Sequence, residues 1–259
     1  MSVSARWSDL APRMLSGVVM IALGAGTIWI GGVVFAALVC VLAGLMIWEG
    51  ARMFGAPDSM RSGVLVAVAM ALALWLPGML VLPLLISAAL VAASSIERER
   101  GPFLALALWS LLGCYAMGTL RAEAGLIWVL WLVAVVVISD VAGYFAGRMI
   151  GGPKFWPRFS PKKTWSGTVA GWIGAAVIGL VFAVPTGAGL ALVPVSVLVG
   201  FAGQMGDIAE SAFKRLRGVK DSSNLIPGHG GVLDRFDAML GAALLVVILW
   251  VLGLLPGVA

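Results

Sequence analysis

The stretch MLSGVVMIALGAGTIWIGGVVFAALVCVLAGLMIW, residues 14–48, contains no charged side chain. A helix that crosses the hydrocarbon core of a bilayer needs about 20 apolar residues. This run is long enough for two, and Gly31-Gly32 marks the break between them. It is too long for the apolar core of a secretory leader and lacks a clear small-residue cleavage site, so it is expected to stay in the protein.

The rest of the chain follows the same pattern. Seven further apolar runs occupy roughly residues 63–77, 79–96, 102–121, 125–149, 167–185, 188–209 and 237–254. Pro77-Gly78 divides the first pair and Glu97-Arg98-Glu99-Arg100-Gly101 the next. The expectation is an all-α, polytopic membrane protein of about nine spans. Of 259 residues, 61% are hydrophobic and 11% charged, against roughly 25% charged in a soluble domain. A mean hydropathy of +1.07 cannot be hidden in one globular core of this length.

Charge orients the spans. With the N-terminus in the cytoplasm, sixteen of the 17 Lys and Arg residues, Arg6 and Arg13 among them, fall on the inner side, and only Arg121 falls outside. Such an excess is the positive-inside signature. It also accounts for the net charge of +5 without nucleic acid, which is not expected as a partner. Trp29, Trp48, Trp75 and Trp128 fall near span ends, where interfacial aromatics are enriched. Cys40 and Cys114 both lie in apolar runs and are expected to be buried thiols, not a disulfide. Gly143/Gly147 and Gly167/Gly171 are GxxxG pairs, suited to close helix packing. Glycine-rich helices are also compatible with a homodimer.

Chemistry is confined to the second half, which suggests a scaffold region, 1–125, and a catalytic region, 126–259. Three polar clusters stand out. In the first, Asp140, Tyr144 and Gly147 share one helical face, ahead of Arg148. An acid in an apolar helix is a candidate functional group, although an ion pair with Arg148 explains it equally well. The second is the loop Gly151–Gly167, with Lys162 and Lys163 for anionic groups and Ser166 as cap of the next helix. That helix start adds a positive dipole end. Alone, this loop is also what positive-inside charge produces.

The third cluster holds Asp207, Glu210, Ser211 and Lys214 at i, i+3, i+4 and i+7. Arg215, Lys220, Asp221, Pro227-Gly228-His229-Gly230-Gly231, Asp234, Arg235 and Asp237 follow. Asp234 and Asp237 share a helical face, where like charges call for a cation. Oxygen ligands beside Lys and Arg suit Mg²⁺ held through carboxylates and substrate phosphates. His229 is the chain's one histidine, so zinc is not expected. A basic loop binding acidic headgroups would explain the lysines but not the interleaved acids.

The 27 residues from Ser211-Ala212-Phe213-Lys214-Arg215 through Lys220-Asp221 and Ile226-Pro227-Gly228-His229-Gly230-Gly231-Val232 to Asp234-Arg235-Phe236-Asp237 resemble the signature of phosphatidate cytidylyltransferases. Ser160-Pro161-Lys162-Lys163-Thr164, Gly206-Asp207 and the segment holding Asp140, Tyr144 and Gly147-Arg148 are similar to that family too. One departure is Ser166, where many relatives carry an acid. The resemblance implies that CTP and phosphatidic acid, a membrane lipid, form CDP-diacylglycerol and pyrophosphate. On that basis Asp140, Asp207, Asp234 and Asp237 are expected to hold Mg²⁺, with a second cation left open. Asp207, Asp234, Asp237, Lys214, Arg215 and His229 form the expected catalytic set. Lys162, Lys163, Ser166, Ser211, Lys220, Asp221 and Arg235 are expected to bind substrates. The implied location is the cytoplasmic side of a bacterial plasma (inner) membrane.

Phosphoryl-group transfer rests on positioning and charge neutralisation, so the lack of a nucleophile triad or Walker motif is no obstacle. The competing enzymes are a CDP-archaeol synthase and a polyprenol or phytol kinase. The spacing of a CDP-alcohol phosphotransferase is absent. A transporter would also use an intramembrane acid, but it commonly shows two similar halves, and these halves differ.

Overall fold

Apolar runs without proline or charge form helices because, in hydrocarbon, every backbone N–H and C=O must be satisfied within the segment. The computed structural model describes residues 3–258, with side chains from Pro12 onward, so the side chain of Arg6 lies outside the described residues. Nine α-helices occur among them: α1 Val3–Ile30, α2 Gly32–Met53, α3 Ser59–Ala73, α4 Gly78–Ser94, α5 Arg100–Thr119, α6 Leu126–Met149, α7 Trp165–Phe182, α8 Leu192–Leu216 and α9 Leu233–Val251. Six regions are long and apolar enough to cross a membrane by length and composition: Pro12–Ile30, Gly32–Met53, Arg100–Ala124, Leu126–Met149, Trp165–Phe182 and Gly189–Leu216. The expected count of nine spans therefore reduces to six that meet both criteria. Helices α3 and α4 are apolar but shorter.

The punctuation follows residue chemistry. Gly31 and Gly32 both have positive φ, 67° and 53°, which separates α1 from α2. Glu99 sits at φ 58° immediately before α5. The expected loop between α6 and α7 is a short antiparallel hairpin, β1 Lys154–Trp156 with β2 Ser160–Thr164.

Two compact units divide the chain, and neither is continuous. The first comprises residues 1–111 and 216–236, and the second 112–215 and 237–259. The sequence boundary at 125/126 sorts residues by chemistry, whereas these units follow packing. In the first unit, Gly44 and Gly63 let α2 and α3 approach backbone to backbone: a Cβ on Gly63 would lie 2.8 Å from the Gly44 carbonyl oxygen. Glu49, Met46, Ile47, Met70 and Phe103 are buried there.

In the second unit the two GxxxG pairs face each other across α6 and α7. A Cβ on Gly143 would come within 3.2 Å of the Gly167 carbonyl oxygen, and one on Gly167 within 2.5 Å of the Gly143 carbonyl oxygen. Gly167→Ala is therefore expected to lower stability by about 1–3 kcal/mol through overpacking. Thermal melting in detergent checks this, and an unchanged midpoint would contradict the close approach.

Two aromatic and thiol expectations change. Trp128 is buried within the protein: it is 4% exposed and packs edge-on to Trp131, with ring centroids 5.5 Å apart. Trp29 and Trp75 remain largely exposed. Both cysteines are free, with Cys114 buried and Cys40 only partly so.

Candidate functional site

In the second unit, four predicted residues line one cavity of about 470 Å³: Asp140 from α6, Lys162 and Lys163 from β2, and Asp207 from α8. Tyr144 and Arg148 line it as well, as their placement on the face of Asp140 requires. Arg148 donates to the Tyr144 hydroxyl at 2.8 Å. Among the described residues no salt bridge joins Arg148 to Asp140, so the carboxylate is not explained by that pair.

The Lys163 ammonium reaches Asp207 Oδ2 at 2.6 Å and the Gln204 carbonyl at 3.2 Å. Gln204 is itself pinned. Its amide nitrogen donates to Ser139 Oγ and the Thr168 carbonyl, and its amide oxygen accepts from the Trp172 indole at 3.2 Å. A buried amide held this way fixes the wall from which Lys163 hangs. Strand β2 runs directly into α7, so the positive start of α7 lies beside the two lysines.

The cap of α7 is a correction. Thr164, not Ser166, accepts from the Gly167 N–H, at 3.2 Å. Ser166 instead donates to the Gly151 carbonyl at 2.5 Å and closes the loop on itself. The helix begins two residues earlier than the glycine suggests, because Thr164 is extended and Trp165 already helical.

On α8 the predicted polar stripe forms. Ser211 donates to Asp207 Oδ1 at 3.4 Å, and Lys214 pairs with Glu210, whose side chain is wholly buried. Arg215 is exposed in the last turn. The charges of Asp140 and Asp237 both interact with that of Asp207, and Asp237 also senses Lys214. Among the described residues, no three His, Cys, Asp or Glu side chains stand together as a ready-made metal cage. Mg²⁺ seldom uses one; it is commonly bound through one or two carboxylates plus substrate phosphates. Asp207 with Asp140 or Asp237 fits an ion that arrives with a triphosphate.

The remaining predicted residues lie in the first unit, on the segment Leu216–Phe236. Lys220 and Asp221 are exposed. The loop is closed by a bridge between Ile226 and Gly230 and by the His229 N–H donating to the Ile226 carbonyl at 2.9 Å. Gly228 and Gly230 have φ of 75° and 82°, as this tight reversal requires. Arg235 Nε donates to the His229 carbonyl at 2.8 Å.

The His229 ring is held by α1. Ser16 Oγ lies 2.9 Å from His229 Nδ1, 2.9 Å from the Pro227 carbonyl and 3.0 Å from the Arg13 carbonyl. Carbonyls only accept, so the single Ser16 hydroxyl proton and the His229 tautomer together decide the direction of the Ser16–Nδ1 contact.

Asp234, expected as a metal ligand, has one carboxylate oxygen engaged within its own loop. Its Oδ2 accepts from the Ser222 N–H and hydroxyl, both at 2.9 Å, and from the Gly231 N–H at 2.7 Å. It organises the loop at the start of α9. A residue absent from the sequence-based list stands beside it. Glu49, near the end of α2, is 0% exposed and accepts from Ser222, Ser223, Val232 and Leu233. The signal for it was its isolation: it is the sole acid between Asp9 and Asp58, directly after the uncharged run.

Apolar helices, a cavity lined by lysines and carboxylates and a glycine-rich polar loop define a membrane-type protein built to handle anionic groups. The chain belongs to the cytidylyltransferase family, whose model matches residues 11–252. It is 33% identical over 248 residues to the phosphatidate cytidylyltransferase of Brucella suis, covering 92% of each chain. Identity to the phosphatidate cytidylyltransferase of Helicobacter pylori is 36% over 165 residues, 60% of each chain. For that of Bacillus subtilis it is 38% over 121 residues, 46% of this chain and 45% of the other.

Proposed function

We propose that this chain transfers the cytidylyl group of CTP to phosphatidic acid at the cytoplasmic side of a bacterial plasma membrane. A phosphate oxygen of the lipid attacks the α-phosphorus of CTP, the bond to the β-phosphate oxygen breaks, and pyrophosphate leaves. CDP-diacylglycerol remains in the bilayer. The family membership and the names of the bacterial relatives support the reaction. The cavity lined by Asp140, Lys162, Lys163 and Asp207 is the observation that carries it to particular residues.

Each group has a task there. Lys162 and Lys163, with Arg148 and the start of α7, neutralise phosphate charge. Asp207 holds Lys163 until phosphate competes for the ammonium. Asp207, with Asp140 or Asp237, would hold Mg²⁺. Bound Mg²⁺ supplies charge stabilisation on the phosphate oxygens. Asp234 orders the loop that carries His229 and Arg235. The orientation rests on the positive-inside distribution of charge. A homodimer draws no support from the GxxxG pairs, because both are used between α6 and α7 of one chain.

Purified protein given CTP, phosphatidic acid and Mg²⁺ in detergent is expected to form CDP-diacylglycerol and pyrophosphate in equal amounts, and EDTA is expected to stop both. Folded protein that forms neither product overturns the assignment.

A further inference from the structure

The geometry points to Glu49 as a positioning residue for the transfer reaction, acting through the loop that carries His229. The inference rests on that loop belonging to the active site. Glu49 lies on α2, remote in sequence from every residue of the signature segment, yet its buried carboxylate grips both ends of the loop. At the near end, Ser223 Oγ donates to Oε1 at 2.6 Å and Ser222 Oγ reaches Oε2 at 3.1 Å. At the far end, the Val232 N–H donates to Oε1 at 2.8 Å and the Leu233 N–H to Oε2 at 2.8 Å.

Both oxygens therefore accept one donor from each end of the loop. Pinching the ends of a segment removes the freedom of everything between them, here the Ile226–Gly230 bridge and the His229 backbone. The two backbone donors belong to the first residue of α9 and the one before it. Glu49 thus caps α9 from another helix and complements its positive end.

Two further observations support a dedicated clamp. Glu49 is 0% exposed, and a buried carboxylate is tolerated only with such a complement of donors. Gly231 accommodates it: a Cβ there would collide with Ser222 Oγ and lie 2.6 Å from Glu49 Oε1. The glycine of the signature thus leaves room for both Ser222 and the acid on α2. Ser222, with one hydroxyl proton, lies within reach of both Glu49 Oε2 and Asp234 Oδ2. The two carboxylates therefore share that proton, which ties the Glu49 clamp to Asp234.

The test measures kcat and KM for both substrates, per folded enzyme, alongside hydrogen exchange of the Val232 and Leu233 amides. In Glu49→Gln the side-chain NH₂ faces donors, and kcat is expected to fall on the order of tenfold or more, with exchange at both amides accelerated. KM for CTP and for phosphatidic acid is expected to stay within about threefold, since no substrate contact is removed. Ser223→Ala removes one donor of four and keeps the fold accessible if Glu49→Gln does not assemble; it is expected to lower kcat about two- to fivefold. Glu49→Asp keeps the charge and is expected to recover part of the loss.

Wild-type kcat per folded molecule in Glu49→Gln or Ser223→Ala, with only a lower melting temperature, would reduce Glu49 to a structural residue and overturn the inference. Accelerated exchange with unchanged turnover would show instead that the loop lies outside the active site, while the cytidylyl transfer itself stood.

Discussion

Asparagine at position 207 is expected to lower turnover about 10³-fold, the scale seen when a preorganised electrostatic group is removed from a transition state. The substitution keeps the volume and an oxygen for Ser211, which donates to Asp207 Oδ1. It removes the negative charge that holds Lys163 at 2.6 Å and that Asp140 and Asp237 both sense. Loss of the proposed metal ligand and release of the lysine act in the same direction. Turnover is measured with saturating Mg²⁺, and melting in detergent shows whether the helices remain packed. Activity within about threefold of wild type would make Asp207 a structural ion-pair partner, since removing a charge that acts in the transition state costs far more than this.

Alanine at position 234 is expected to cost on the order of 10²-fold, because three donors lose one shared acceptor. Asparagine keeps a carbonyl oxygen that can still accept from the Ser222 and Gly231 N–H groups, so it is expected to retain turnover within about tenfold of wild type. A direct metal ligand would behave otherwise: both substitutions would abolish activity. The pair of variants separates loop ordering from metal binding at a residue that sequence placed among the ligands.

Legibility in the sequence followed from how local the determining interaction is. The break between α1 and α2 was visible because two glycines alone set it. The shared face of Asp140 and Tyr144 was visible because helical spacing alone sets it. The α7 cap was missed by two residues because Thr164 and Ser166 are chemically equivalent caps, and only backbone geometry chooses between them. Trp128 was misplaced because proximity to a span end does not say which way a side chain faces. Asp234 and Asp237 looked alike at i and i+3. The backbone donors that engage Asp234 come from a loop whose path no spacing rule reveals. Glu49 was missed for the same reason in stronger form: its partners lie 173 to 184 positions away.

That separation also dictates an order of manufacture. The first unit is built from residues 1–111 and 216–236. Its early part leaves the ribosome long before the segment that completes it, with the whole of 112–215 synthesised in between. Until then the Glu49 carboxylate has none of its four donors, and a carboxylate without donors resists burial. A nascent chain that stalls before Ser222 therefore holds an acid without these donors near the end of a helix otherwise ready for lipid. Only a chain that extends through Leu233 supplies all four donors, so this acid distinguishes finished from unfinished copies.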